Sequence, residues 1–285
     1  MLKALAQLTR VEHSLMLAIG VLVGQTVALG QLPTAAAFVL AAIPPALVSA
    51  ASFAINDYFD LETDRRNKKT DRPLVRGDLS PRTAVALSAA FFAAGIALSA
   101  LINTHSLAVI VAFSAVAILY SWVLSKKFLL GNIYIAAAYA IVFAYGAVTV
   151  GGKPISTTII WALTTIALLT GLGREFMKSI QDMAGDRAAG RRTVPIVIGA
   201  QNTAWLTSIT YLAGIALTIY LFATPSIYYL DIAYGLPVAA MDVILLWISV
   251  RILSDTSQKF LRLSRNLTLV AIPLGLIGFL AGALI

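Results

Sequence analysis

NDYFDLETD, residues 56–64, stands where a long apolar run gives way to a polar segment. If the helix of that run continues through it, Asp57, Asp60 and Asp64 fall at i, i+3 and i+7, within about 60° of one another around the axis. Three carboxylates then share one face, and Asn56, four residues before Asp60, adds a neutral oxygen beside them. Carboxylates packed that closely repel and need a cation among them. Donors that are all oxygen, with no Cys in the chain and no His nearby, point to a hard divalent ion such as Mg²⁺.

The apolar run is one of several. Of 285 residues, 59% are hydrophobic and 12% charged, and the mean hydropathy is +0.87, whereas a soluble domain carries roughly a quarter of its residues as charges. The chain therefore reads as an integral membrane protein. Its runs reach the length of a helical span, about 20 residues, and do not alternate as barrel strands would. Nine spans are expected, at about 14–32, 34–55, 83–102, 105–124, 131–151, 156–180, 204–223, 227–250 and 267–285. The basic stretch Met1–Arg10 precedes a retained first span rather than forming part of a cleaved leader. Without cysteine, disulfides and thiolate metal sites are excluded.

Loops after even-numbered spans lie on the same side as the N-terminus. That side holds every one of the 21 Lys and Arg residues except Lys153, which places the N-terminus and these loops in the cytoplasm of a multi-pass cell-membrane protein. The net charge of +8 then reflects topology, not nucleic-acid binding. Membrane lipids are the expected surroundings, and nothing in the sequence calls for a protein partner.

A second acidic stretch, GREFMKSIQDMAGDRAAGRRTVPIVIG, spans Gly173–Gly199. At a constant offset of 122 residues, Asp60 meets Asp182, Asp64 meets Asp186 and Arg65 meets Arg187, while Pro73, Val75 and Gly77 meet Pro195, Val197 and Gly199. Six identities in 18 ungapped positions indicate a shared origin. The offset equals four spans, so the chain reads as one domain, 1–285, with related halves at about 1–130 and 131–252 and a ninth helix at 267–285. Both acidic motifs then emerge on one face. The second copy has Lys178 and Ser179 in place of Asn56 and Asp57. Asn56, Asp57, Asp60, Asp64, Asp182 and Asp186 could converge on two Mg²⁺ ions bridged by a diphosphate, because Mg²⁺ takes few protein carboxylates and completes its shell with phosphate and water oxygens. A charged loop beside a membrane span is often merely solvated. The positive-inside rule, however, does not require acids aligned at helical spacing in both copies.

With both motifs in view, the chain resembles the UbiA superfamily of intramembrane prenyltransferases. That family carries N-D-x-x-D-x-x-x-D after its second helix and a D-x-x-x-D-type motif after its sixth, and the trailing DRRNKKTDRPLVRG (64–77) is similar as well. The resemblance covers essentially the whole chain. It implies an all-α fold of nine transmembrane helices, two four-helix halves plus one, with two Mg²⁺ ions holding the diphosphate of a prenyl donor. The six oxygen-bearing residues carry over position by position. Two departures stand out: Ser179 replaces an acid found in many members, and Tyr120 is followed four residues later by Leu124, with lysines only at Lys126 and Lys127.

An allylic diphosphate ionises when charge developing on the leaving group is neutralised. Lys178, Arg65, Arg72 and Lys126 are candidates to complete the clamp around it, with Tyr120 beside the substrate, and Lys178 precedes Asp182 by one helical turn. Arg174 and Glu175 lie deeper, Arg174 about 12 Å before Asp182 along the helix. Ionisable groups there face either a cavity or each other, and Asp242, alone in the eighth span, is expected to line the pocket. His13 and His105 sit at span ends and read as interfacial.

TRVEHSLML (9–17), GREFMKSIQDMAGD (173–186) and Asp242 are most similar to the archaeal branch of the superfamily. That likeness implies transfer of a geranylgeranyl group from its diphosphate to the free hydroxyl of geranylgeranylglyceryl phosphate, a lipid-like acceptor. Asp64 is the candidate to take the hydroxyl proton, and Arg191 and Arg192 could meet the acceptor's phosphate or, equally, the carboxylate of 4-hydroxybenzoate. A transporter is the alternative of another class, but transporter sites tend to lie near the bilayer midplane at broken helices. A CDP-alcohol phosphotransferase would need a D-G-x-x-A-R opening that neither loop has.

The charge asymmetry makes a direct prediction. Tags at the N-terminus or beside Lys68 label from the cytoplasmic side only, and a tag at Gly152 from the outside only; Lys68 and Gly152 tags reached from one side would break the nine-span topology.

Overall fold

The computed structural model describes residues 2–66, 69–151 and 157–284, with Lys126 described in its backbone alone. Apolar stretches separated by capping residues dictate helices, and among the described residues every regular element is one. α1 (Leu2–Thr9), α2 (Val11–Leu29) and α3 (Ala35–Phe59) are followed by the short α4 (Leu61–Arg66) and α5 (Pro73–Arg76). Next come α6 (Pro81–Ala100), α7 (Thr104–Trp122), α8 (Leu130–Thr149) and α9 (Thr157–Ala188). The short α10 (Val194–Ile198) precedes α11 (Ala200–Ala223), α12 (Ile232–Arg251) and α13 (Gln258–Gly282). Nine of these, α2, α3, α6 to α9 and α11 to α13, are long and apolar enough to cross a membrane, as expected from the sequence.

Helix starts follow from capping. Thr34, Ser80, Asn103, Asp231 and Ser257 each accept a hydrogen bond from a backbone N–H of the first turn they open, at about 1 kcal/mol apiece. Ser257 thereby starts α13 at Gln258, ahead of the expected position, and Lys259, Arg262 and Arg265 ride on its first turns. α9 is also longer than its apolar run: 32 residues span about 48 Å, against about 30 Å of hydrocarbon. It carries the second acidic motif beyond the membrane core as uninterrupted helix.

The packing order recurs along the chain. α2 lies on α3, α3 on α6 and α6 on α7, as α8 lies on α9, α9 on α11 and α11 on α12. The two groups meet where α8 packs against α2 and α7, and α13 closes the bundle against α12, α9 and α2. The α2–α8 seam is very close because three residues lack a Cβ. A Cβ on Gly24 would fall on the backbone carbonyl of Phe143, one on Gly146 on that of Val21, and one on Gly20 would lie 2.5 Å from Val142 Cγ2. At one end of the bundle, Leu8, Ala54, Leu61, Leu74, Leu79 and Ala84 bury one another in a satellite core. This core pins α1, the C-terminal end of α3 and the α4–α5 segment, and so positions the first acidic motif.

Gly24→Val and Gly146→Val should each destabilise the protein, since the obstructing atoms are backbone and cannot rotate away; overpacking of this kind costs about 1–3 kcal/mol. Gly185→Ala is the control, because a Cβ there meets nothing and helix propensity improves. Thermal unfolding in detergent checks both: seam variants as stable as the parent chain would refute the close-packing account.

Candidate active site

The first motif is built where α3 ends. Asp60 caps α3 with φ −88° and ψ −3°, and its N–H bonds to Asn56 O at 2.9 Å while Asp64 N–H bonds to Asp60 O at 2.8 Å. The i to i−4 pattern thus carries across the turn into α4. The side chains nevertheless divide into two sets instead of sharing one face. Asp57 and Asp64, each 2% exposed, turn toward cations from other segments. Arg72 Nη1 donates to Asp57 Oδ1 at 2.5 Å, Arg10 Nη2 reaches the same oxygen at 3.4 Å, and Lys69 Nζ lies 2.8 Å from Asp64 Oδ1. Asn56 and Asp60 instead face a cavity, joined by Asn56 Nδ2 donating to Asp60 Oδ2 at 3.3 Å.

That cavity, about 450 Å³, lies among α2, α3, α7, α8 and α9, within the size range of small-molecule sites, roughly 300–1,000 Å³. One end is polar, lined by Asn56, Asp60, Lys69, Arg72, Lys178, Asp182 and Arg191. The body is apolar, lined by Pro45, Val48, Val109, Ile110, Phe113, Ile141 and Val142. Aromatic rings stand along it: Tyr120 stacks on Tyr134 with centroids 4.3 Å apart, and His13 meets the edge of Phe53 at 5.0 Å. Arg10 joins α1 to α2 in the left-handed region, φ 46° and ψ 60°, which turns its guanidinium onto the Phe53 ring at 4.3 Å. Burial and the neighbouring Arg72 push the Arg10 pKa down and Asp57 offsets this in part, yet a guanidinium stays charged.

On α9, Asp182 stands exposed at the cavity mouth, with Lys178 one turn and Glu175 two turns deeper. Lys178 Nζ is 3.7 Å from Glu175 Oε2. Arg174 points elsewhere on the wall, its Nε donating to Thr268 Oγ1 of α13 at 3.2 Å, so Arg174 and Glu175 serve the cavity separately and not as a local ion pair. Asp186 lies behind the mouth, 3.7 Å from Arg191 Nη1. Ser179 turns to the helix backbone, donating to Phe176 O at 2.7 Å.

Of the residues expected at the site, the cavity brings together Asn56, Asp60, Arg72, Tyr120, Arg174, Lys178, Asp182 and Arg191. Asp57, Asp64 and Asp186 are outside its lining, each paired with a cation that belongs to it. Arg65 and Arg192 are exposed and outside its lining, and the Lys126 side chain lies outside the described residues. Asp242 is a correction. It lines a different cavity of about 430 Å³ between α11 and α12, where it accepts a hydrogen bond from Thr218 Oγ1 at 2.7 Å, because the rotation of α12 turns it toward α11. Asp64, the expected proton acceptor, is outside the lining of the main cavity and is paired with Lys69 and Arg72, which belong to it. Arg10, His13, Lys69 and the Tyr134 and Tyr139 rings join the lining without having been anticipated. Arg10, His13 and Tyr134 stand near span ends, Lys69 in a basic loop and Tyr139 within the fifth span, positions that carry no signal of their own.

The donors suit a hard cation. Asn56 Oδ1 and Asp57 Oδ2 are buried oxygens without a hydrogen-bond partner, and burying such atoms is costly. Among the described residues no three carboxylates or histidines form a closed cage. The arrangement thus fits ions that take few protein oxygens from two facing helices and fill their shells with phosphate and water.

Residues 16–281 match the UbiA prenyltransferase family. The chain belongs to that family. This UbiA-family prenyltransferase is 38% identical over 283 residues to the digeranylgeranylglyceryl phosphate synthase of Archaeoglobus fulgidus, covering 99% of this chain and 96% of the relative. A structure described as giving structural and mechanistic insights into the biosynthesis of digeranylgeranylglyceryl phosphate synthase in membranes superposes with a TM-score of 0.83 at 25% identity, covering 99% of this chain and 98% of the other. A UbiA homologue from Archaeoglobus fulgidus bound to GPP and Mg²⁺ shares the fold, with a TM-score of 0.68 at 18% identity over 97% and 98% of the two chains.

Removing Arg72 should expose the constraint on Asp57. Arg72→Ala leaves a buried carboxylate with only the longer Arg10 contact and is expected to lower stability by about 3 kcal/mol; adding Asp57→Ala should recover part of that loss. Unfolding curves for the single and double variants decide it, and a double variant less stable than Arg72→Ala would contradict the charge-pairing account.

Proposed function

We propose that this prenyltransferase transfers a geranylgeranyl group from its diphosphate to the free hydroxyl of geranylgeranylglyceryl phosphate, a step of archaeal ether-lipid synthesis. The observation that carries the reading is the single cavity joining both acidic motifs at a cation-rich mouth to an apolar body between helices. Similarity near full length to the Archaeoglobus fulgidus enzyme supports the choice of acceptor. The alternatives, an aromatic acceptor and a transporter, are less favoured by these likenesses. The positive-inside pattern supports a mouth on the cytoplasmic side.

In this reading Asn56, Asp57 and Asp60 on one side, and Asp182 with Asp186 on the other, would hold two Mg²⁺ ions, with Asp64 behind the first set. When bound, Mg²⁺ supplies charge neutralisation to the departing diphosphate. The chain's own residues do the rest. Lys69, Arg72 and Lys178 face the mouth as fixed cations that orient the same anion. Arg191, on the rim beside Asp186, meets the acceptor phosphate. The apolar walls receive the isoprenoid chain, and the Tyr120–Tyr134 stack limits water around the reacting carbon.

The test uses purified protein in detergent with geranylgeranyl diphosphate, Mg²⁺ and each acceptor in turn. Ether formation on the glycerol hydroxyl is expected, abolished by chelation and poorly supported by Ca²⁺. Asp60→Ala and Asp182→Ala should each lower kcat/KM at least about 100-fold, and together little further, since groups acting as a unit are not additive. Prenylation of 4-hydroxybenzoate but not of the glycerol lipid would reverse the assignment.

A further inference from the structure

Ether formation releases a proton. The glycerol oxygen bonds to C1 of the prenyl group, the bond from C1 to the diphosphate oxygen breaks with its electron pair on the diphosphate, and the hydroxyl hydrogen must go to a base. We propose that Glu175 is that base. The inference rests on the glycerol-hydroxyl reading above.

Among the described residues, three carboxylates line the cavity: Asp60, Asp182 and Glu175. The first two sit in the acidic motifs at the mouth, where they would meet the cation and the diphosphate. Glu175 is left for other chemistry. It precedes Asp182 by seven residues on the uninterrupted α9, so it lies about 10 Å deeper and only about 20° around the helix. A diphosphate held at the mouth, with its prenyl group directed into the apolar body, puts the reacting carbon between those two levels. Glu175 is 7% exposed, and what remains accessible opens on the cavity. Its turn is fixed by Asn132 Nδ2 of α8 donating to Glu175 O at 3.3 Å. The carboxylate itself is not locked, because Lys178 Nζ at 3.7 Å is beyond hydrogen-bond distance.

The charged and titratable groups around it are Lys178 and Arg174 on α9, Tyr120 on α7, Tyr139 on α8 and Tyr211 on α11. After transfer the neutral acid returns its proton to water once diphosphate leaves the mouth. His13 is the rival base, since it lines the same cavity and its Nδ1 has no hydrogen-bond partner.

The experiment measures, for the full-length protein with Mg²⁺ and geranylgeranyl diphosphate, the ratio of ether product to geranylgeraniol formed by water capture, across pH. The parent chain is first run with the glycerol lipid and with 4-hydroxybenzoate; failure on the glycerol lipid there defeats the acceptor assignment and is seen before any variant is made. Glu175→Gln should shift the ratio at least about 100-fold toward geranylgeraniol, the scale of general-base catalysis, and should remove the rise of kcat/KM with pH. Glu175→Asp, which keeps a carboxylate, should retain that rise at a reduced rate and serves if the Gln variant does not fold. His13→Asn, which opens the wall and so is read for pH dependence alone, should keep the rise. An unchanged ratio and pH profile in Glu175→Gln, or loss of the rise in His13→Asn with Glu175→Asp like the parent, would overturn the proposal.

Discussion

Two buried carboxylates at the end of a membrane helix cannot stand without counter-charge. Asp57 and Asp64 are almost wholly removed from water, where an unpaired charge costs several kcal/mol. Arg10 from the N-terminal segment and Lys69 and Arg72 from the stretch after α4 supply that charge. Two stretches of chain are thereby tied to one motif. The satellite core of Leu8, Leu61 and Leu74 packs beneath the same stretches, so charge pairing and apolar burial specify one arrangement of the mouth.

The two acidic motifs do different work because their backbones differ. The first sits on a helix that turns at Asp60, which splits its side chains between a buried charged layer and the cavity. The second rides on α9 with no interruption, so Asp182 is held out at the mouth while Lys178 and Glu175 descend the same face. One side is clamped by protein cations and the other stays open. Such an asymmetry suits a site that must admit a polyanion, hold it and release it.

The bundle beneath supplies an apolar compartment rather than additional chemistry. Glycines along the α2–α8 seam bring the two groups of helices into backbone contact, and the cavity opens beside that seam, between α2, α3 and α8. Rigid walls at this point matter because a carbon cation escapes to the first nucleophile it meets. Stacked and edge-on rings of Tyr120, Tyr134, His13 and Phe53 fill positions where water would otherwise stand.

Much of this protein was legible in its residues. Hydropathy was enough for nine helices of spanning length, because the length of a helix in hydrocarbon is a local property. The spacing of Asn56, Asp60, Lys178 and Asp182, with their recurrence at a fixed offset, picked out residues that do line the cavity. Tertiary structure decided everything that depends on how one helix is rotated against another. It set Asp57 and Asp64 behind Arg72, turned Asp242 toward Thr218 and away from the main cavity, and separated Arg174 from Glu175. It also brought Arg10 across 47 residues to Asp57. No periodicity along the chain encodes such contacts, since they arise from helix crossings, a left-handed turn at Arg10 and the shared need of buried charges for partners.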